Sequence, residues 1–276
     1  VGARHGRADE SGGMAAALHN HVMVTLLCTV RECHLPLALQ DRRMLCERGH
    51  SFDIARSGYI NLLQPQDRRS PVPGDSQEAV AARRRFLERY GQPMLEAIRA
   101  FLPKTDGPIL DVGCGEGYHL DALRSTNEAH GIDISVAAID AAARRYSSCT
   151  WVVANADRFL PYASQSFALA MSITARMNPE EFRRVLRDGG ALMIAIPGPD
   201  DLVELRGMTR DRVERTVEAF APHFTLVKHE RARHVAMMDA EAVKDLVTST
   251  YRRVKARGDT EVTMSRDLLL FSCSSS

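Results

Sequence analysis

What the chain lacks narrows its class before any motif is read. No apolar run among its 276 residues is long enough to cross a bilayer. The apolar stretch at 22–30 is strand-length and carries neither the basic start nor the cleavage site of a signal peptide. A cytoplasmic protein with no membrane partner is therefore the expectation. Six cysteines in a chain this long exclude a disulfide scaffold as the organising framework. A charge of one sign is missing as well: 36 Lys and Arg against 35 Asp and Glu leave a formal net charge of +1. The molecule has no global polyanion-binding field, so any nucleic-acid contact must come from local clustering. No internal repeat is visible. The 45% of hydrophobic residues suffices for the core of one large domain, or of a main domain with a small appendage.

The most informative stretch present is Ile109, Leu110, Asp111 and Val112 running into Gly113, Cys114, Gly115, Glu116 and Gly117. Glycines at alternate positions allow positive φ and remove every Cβ, so a nucleotide-like ligand can lie on the main chain at the carboxyl end of a strand. Asp133 ends the next apolar run, at 129–133, where a carboxylate can accept both hydroxyls of a ribose. A glycine-rich loop alone is weak, since dinucleotide enzymes and plain turns use it too. Here the spacing is Gly-x-Gly-x-Gly after Asp111, and Glu116 would repel a pyrophosphate placed on the following helix. The loop resembles the S-adenosylmethionine loop of Rossmann-like methyltransferases. That resemblance makes Asp111, Gly113, Cys114, Gly115, Glu116, Gly117 and Asp133 candidate cofactor contacts; a tight turn without a ligand is the competing reading.

Cys28, Cys33, Cys46 and His50 fall in a short span with loop spacings able to wrap one ion. Three thiolates and an imidazole suit a closed structural Zn2+ site, which would stabilise a module too small to fold well alone. Ordinary buried thiols are the alternative. Cys114, Cys149 and Cys273 read as apolar filler.

Four regions follow. Residues 1–22 read as a disordered extension, with Met14 or Met23 as a candidate start. Residues 23–66 are expected to form a zinc-binding-like domain, which family resemblance makes an RNA-recognition domain, and 67–105 a linker rich in Pro and Gly followed by helices over 77–102 that break near Tyr90 and Gly91. Residues 106–276 form the methyltransferase domain. Strands are expected at 109–112, 129–133, 150–154, 167–173, 191–196, 224–228 and 268–273, with helices from Tyr118 and over 135–146, 179–187 and 239–248. The fold class is α/β, a Rossmann-like seven-stranded domain preceded by a small zinc-ribbon-like domain.

The combination then becomes specific. His50, Ser51, Phe52 and Asp53, then Gly58, Tyr59, Ile60, Asn61, Leu62 and Leu63, then Pro73, Gly74, Asp75 and Ser76, precede the glycine loop. Over 28–205 this resembles the 23S ribosomal RNA guanine-N1 methyltransferases, a family with housekeeping members and a macrolide-resistance branch. The resemblance implies S-adenosylmethionine and Zn2+ as cofactors, a 23S ribosomal RNA hairpin as partner, and in some relatives a homodimer. It maps zinc ligands onto Cys33, Cys46 and His50. The usual fourth position is Val30 here, so Cys28 must serve through a longer knuckle. Cofactor contacts map onto Gly115 and Glu116, and a covering aromatic near Tyr90; a histidine of some relatives is Asp201 here.

Methyl transfer to guanine N1 requires an acceptor for the N1 proton. Asp201, Glu204 and Asp53 are candidates, each also readable as a solvated loop carboxylate. Asn155 and Asp157, after the third strand, are expected beside the adenine, or else as a helix cap. Thr174 and Arg176 end the fourth strand on the substrate side. Arg68 and Arg69, with Arg83, Arg84 and Arg85, are candidate RNA contacts, although an arginine run is equally a solvated helical face. Two rival functions stay open: a small-molecule methyltransferase, and a non-enzymatic cofactor-binding or RNA-binding protein.

Overall fold

The structure is a computed structural model that describes residues 24–31, 33–67, 73–175, 177–250 and 258–273. The expected extension at 1–22 lies outside these residues, as do Arg68, Arg69 and Arg176.

Three short strands, β1 (Ala38–Gln40), β2 (Arg43–Leu45) and β3 (Ser51–Asp53), form an antiparallel sheet. The chain then leaves it through β4 (Ile60–Asn61) and enters α1 (Gln77–Tyr90) and α2 (Gln92–Phe101). Ser76 starts α1 by accepting from the Ala79 N–H at 3.2 Å. The break at Gly91 is where the pattern placed it. Pro93 stands in the first turn of α2, where its missing N–H is harmless, but its ring would clash with a continuing helix.

The remainder alternates. β5 (Ile109–Val112), α3 (Tyr118–Leu123), β6 (Ala129–Asp133), α4 (Val136–Arg145), β7 (Thr150–Val153), β8 (Phe167–Ile173), α5 (Pro179–Val185) and β9 (Leu186–Pro197) come first. Then follow α6 (Val203–Arg206), α7 (Val213–Phe220), β10 (Phe224–Met238), α8 (Ala240–Thr248) and β11 (Thr260–Cys273). The main sheet runs β10-β11-β9-β8-β5-β6-β7-β4. β4 to β9 pair in parallel, and β11 and β10 are antiparallel. The chain builds outward from β5 to β7, then returns to β8, so β5 and β8 flank the switch point where α/β sheets open a ligand crevice at their carboxyl ends.

All seven expected strands are present, and two differences stand out. An eighth strand, β4, is added from the amino-terminal region, with Ile60 opposite Val152. Two residues carry too little pattern to be read as a strand, and their pairing is tertiary. β10 is three times and β11 more than twice the expected length, because 229–238, polar over its first half, pairs with β11 as a ribbon that ends with Met238 in a core. Along β11 the polar residues Thr263, Ser265 and Asp267 are themselves buried, so apolar alternation is not what marks this strand.

Three cores hold the layers. One joins Leu26, Cys28, Leu37 and Phe52 of the amino-terminal region to Ile132, Val152 and Tyr162 of the sheet. The opposite face packs Ile98, Phe101, Leu120, Ile139 and Trp151. The third places Phe86 of α1 against Leu202, Met238, Val243, Val262 and Met264. α1 is also tied to α8 by ions: Arg85 makes paired contacts with Asp245 at 2.9 and 2.5 Å, and Arg89 meets Asp239 at 2.7 Å.

Candidate functional site

The glycine loop leaves β5 with Gly113, Gly115 and Gly117 all left-handed, at φ 75°, 56° and 83°. The three glycines serve different ends. A Cβ on Gly113 would lie 2.3 Å from the Ala175 Cβ, and one on Gly117 would lie 2.3 Å from the Trp151 ring. Those two are required by packing. A Cβ on Gly115 would meet only the Arg83 guanidinium, at 3.4 Å, so this is the glycine that leaves space for a ligand. The Gly115 N–H donates to Asp133 Oδ2 at 3.0 Å, and the Ser135 N–H to Asp133 Oδ1 at 2.8 Å. Asp133 thereby fixes the loop against the start of α4, which Ser135 caps through the Ala138 N–H.

The crevice is acid-rich. Asp111 is buried with Oδ1 unpartnered, and burial, helped by the charge of Asp133, pushes its carboxyl up to about 7. Glu116 is likewise buried with Oε2 unpartnered; burial pushes it up to about 7 against the opposing pull of Arg84, Arg83 and Arg145. Burial raises Asp133 as well, opposed by the Ser135 and Gly115 N–H groups. Such acids hold protons near neutral pH while unpaired and lose them to solvent when a cation lies beside them, the property wanted opposite a sulfonium and an ammonium. The unpartnered oxygens and the open face of Gly115 fit that group.

Cations cluster on one side. Arg83 is ion-paired with Asp75, donates to the Ser249 carbonyl at 2.9 Å, and stands over Gly115. Asp75 in turn accepts on its carbonyl from the Ser135 hydroxyl at 2.8 Å. Arg83 and Arg85 are thus both engaged by acids of their own chain, and Arg84 lies near Glu116. Tyr90 stacks with Phe86 in the third core, ring centroids 5.7 Å apart. Tyr118, at the start of α3, reaches the same break, its hydroxyl 2.9 Å from where a Gly91 Cβ would be.

The three carboxylates considered as proton acceptors are occupied. Asp201 accepts from the Ser265 N–H at 2.9 Å, from Arg206 at 2.8 Å and from Arg266. Glu204 accepts from the Thr263 N–H at 2.8 Å and its hydroxyl at 2.6 Å; burial would raise it, but these bonds hold it below the usual range. Asp53 is exposed on β3, paired with Arg43 at 3.1 Å. Asn155 accepts from the Asp157 N–H at 3.1 Å and closes a turn; no helix follows it. Thr174 ends β8 left-handed, its N–H donating to the Ala195 carbonyl at 2.8 Å. A residue the sequence reading missed is His119, in the first turn of α3. Burial, then the charges of Arg266 and Arg83, push it down to about 4, so it is neutral at physiological pH. Its one sequence signal is its place two residues after the last glycine.

Cys28, Cys33, Cys46 and His50 converge, their ligand atoms all within 4.8 Å of one another. Cys28 Sγ and Cys46 Sγ each lie 3.4 Å from His50 Nδ1, and Cys33 Sγ lies 3.8 Å from Cys46 Sγ. Tetrahedral zinc with ordinary bond lengths has S···S edges of about 3.8 Å and S···N edges of about 3.5 Å, so the donor set fits. Cys28 does reach the cluster despite its irregular spacing. Burial raises the Cys46 thiol, but the His50 and Arg48 backbone N–H groups more than offset this and lower it.

Comparison with known proteins agrees with this geometry. Residues 27–71 match the zinc-ribbon family described as RlmA, N-terminal, and residues 109–190 match a methyltransferase domain. The 23S rRNA (guanine(748)-N(1))-methyltransferase of Streptomyces fradiae is 36% identical over 230 residues, 78% of this chain and 81% of its own length. The chain belongs to the 23S rRNA (guanine-N1)-methyltransferase family. A candidate member from Bacillus subtilis, YxjB, is 33% identical over 77% of this chain and 81% of its own. S-adenosylmethionine and zinc are the cofactors of this architecture. The fold is shared with a candidate methyltransferase of Haloferax volcanii solved with the Trm112 activator, at a TM-score of 0.54 and 20% identity over 74% of this chain. No helix among the described residues is long and apolar enough to cross a membrane.

Two outcomes are expected. Gly117→Ala should destabilise the fold through Trp151, whereas Gly115→Ala should cost only about 1 kcal/mol for its left-handed backbone yet weaken S-adenosylmethionine binding. Thermal melts and calorimetric titration separate the two, and equal melting losses would contradict the division of roles. Elemental analysis should find about one zinc per chain. Cys28→Ser should lower that content and loosen the 24–63 region in hydrogen exchange, and unaltered content would remove Cys28 from the ligand set.

Proposed function

We propose that this chain transfers the methyl group of S-adenosylmethionine to N1 of a guanine in a hairpin of 23S ribosomal RNA. The observation that carries the reading is the union, over one shared core, of a Cys3His cluster and a glycine cradle in a chain 36% identical to a guanine-N1 methyltransferase. S-adenosylmethionine supplies a methyl group activated on a sulfonium. The protein's part is to position, to exclude water and to take a proton. Asp133 suits the ribose hydroxyls, and Asn155 and Asp157 the adenine edge. Asp111 and Glu116 suit the positive charges of the methionine portion.

The cofactor's carboxylate needs a cation in a crevice lined by acids. Arg83 is the cation standing over Gly115, and we assign it this role in place of an RNA contact: it would exchange Asp75 for the carboxylate. Arg84, with no acid partner among the described hydrogen bonds, is left for RNA phosphate. As N1 bonds to the methyl carbon, the N1 proton must leave. Asp201 and Glu204 would have to break hydrogen bonds of their own to accept it, and the burial and arginine charges that push His119 down to about 4 oppose its taking the proton as well. The homodimer implied by resemblance is a separate question for analytical ultracentrifugation.

The test of the reaction is mass mapping of ribosomal RNA with and without the gene. A single added N1-methylguanine is expected, and guanine 748, named for the Streptomyces relative, is the first position to inspect. Unchanged ribosomal RNA alongside a methylated small molecule would overturn the reading. For Arg83, the parent should bind S-adenosylhomocysteine about tenfold or more tighter than its decarboxylated analogue, which keeps the ammonium and lacks only the carboxylate. Arg83→Gln should lose that preference while keeping affinity for the decarboxylated analogue. A preference that survives the substitution would return Arg83 to a structural or RNA role.

A further inference from the structure

We propose that the cavity between the metal-bearing region and the carboxyl end of β7 is a subsite for one unstacked nucleobase of the RNA, distinct from the guanine that is methylated. This rests on the function proposed above. The cavity has a volume of about 340 Å3 and is lined by Thr29, Arg31, His34, Asn155, Arg158 and Phe159, among others. It sits at the β7–β4 edge, with β6 between it and the glycine loop on β5, and of the residues assigned above to the cofactor it shares Asn155. It therefore serves a base other than the one brought to the methyl donor.

Its wall is a built stack. The His34 ring lies 4.2 Å from the Phe159 ring at an interplanar angle of 14°. The guanidinium carbon of Arg184 lies 4.9 Å from the same ring. Arg184 is immobilised by hydrogen bonds to the Leu160 and Tyr162 carbonyls at 2.6 and 2.7 Å and to both Glu181 oxygens at 2.7 Å. Phe159 is thus backed by a fixed cation and topped by His34, which is exposed and borders the cavity.

His34 holds this place with a left-handed backbone at φ 45°, a conformation that costs energy for a residue with a Cβ. Thr29, on the same wall, is fixed by donating to the Leu62 carbonyl at 2.5 Å and accepting from Gln64 at 3.2 Å. An aromatic platform beside the exposed cation Arg31 matches an unpaired base and its flanking phosphate. A regular helix offers no free base face and would not enter a cavity of this size.

The test uses the full-length, zinc-loaded protein with S-adenosylhomocysteine. The probe is a synthetic 23S hairpin containing guanine 748, with 2-aminopurine placed in turn at each unpaired position. In the parent, one position other than the methylated guanine should be quenched on binding. His34→Asn tolerates the left-handed backbone, so the fold is kept. It should abolish that quenching and weaken hairpin binding about tenfold, with S-adenosylhomocysteine affinity unchanged. An abasic nucleotide at the same position should weaken the parent by a similar factor and His34→Asn no further. Arg31→Ala should flatten the logarithmic salt dependence by about 0.7.

The proposal falls if no second position is quenched. It falls equally if His34→Asn lowers the melting temperature and weakens the abasic hairpin as much as the intact one, since His34 is then only a strut. A loss of S-adenosylhomocysteine affinity in His34→Asn would give the cavity to the cofactor and also overturn it. Methylation of guanine N1, measured on the same parent protein and hairpin with S-adenosylmethionine in place of S-adenosylhomocysteine, separates the two readings: its persistence with no subsite leaves the reaction standing alone.

Discussion

The carboxylate of Asp133 is the joint on which the candidate active site depends. One oxygen takes the Gly115 N–H and the other the Ser135 N–H, so a single side chain fixes the glycine loop, the end of β6 and the first turn of α4. Ser135 extends the joint by donating to the Asp75 carbonyl, and the Asp75 side chain holds Arg83 over Gly115. Loss of the Asp133 carboxylate would free two backbone donors and a helix cap together, so its structural and binding roles cannot be separated by deletion.

Charge is balanced over the molecule and sharply divided within it. Asp111 and Glu116 lie buried and unpartnered on one side of the crevice, and the arginines of α1 occupy the other. Most of those arginines are spoken for by acids of α8 or of the approach to α1, which makes them struts of the third core. An arginine run therefore does not translate directly into a phosphate-binding surface. The distinction rests on whether each guanidinium has an acid of its own chain within reach, and that is a matter of how α8 returns beside α1.

The metal-bearing region is no independent bead. Its thiols Cys28, Cys33 and Cys46 share an apolar core with Ile132, Val152 and Tyr162, and β4 adds directly to the main sheet. Ordering the cluster thus also orders the sheet edge, and the stack of His34 on Phe159 crosses the same boundary. Metal, core and stack together hold the space between the two regions at a fixed shape.

Much of this protein was legible in its sequence because the signals are local. The three glycines, the apolar runs of β5 to β9 and the helix break at Tyr90 and Gly91 each act through neighbours a few residues away. The Cys3His spacing was readable for the same reason, although whether Cys28 reached the cluster depended on how its knuckle folds. Tertiary structure decided what depends on distant partners. It decided that Gly113 and Gly117 make room for Ala175 and Trp151, while Gly115 faces only the Arg83 guanidinium. It decided that Asp201 and Glu204 are tied to β11, that His119 lies under the influence of Arg266 and Arg83, and that two residues at Ile60–Asn61 complete the sheet. Hydrogen bonds and burial between residues far apart in the chain leave no period in the sequence, and those contacts determine which of many acids and arginines are left to act.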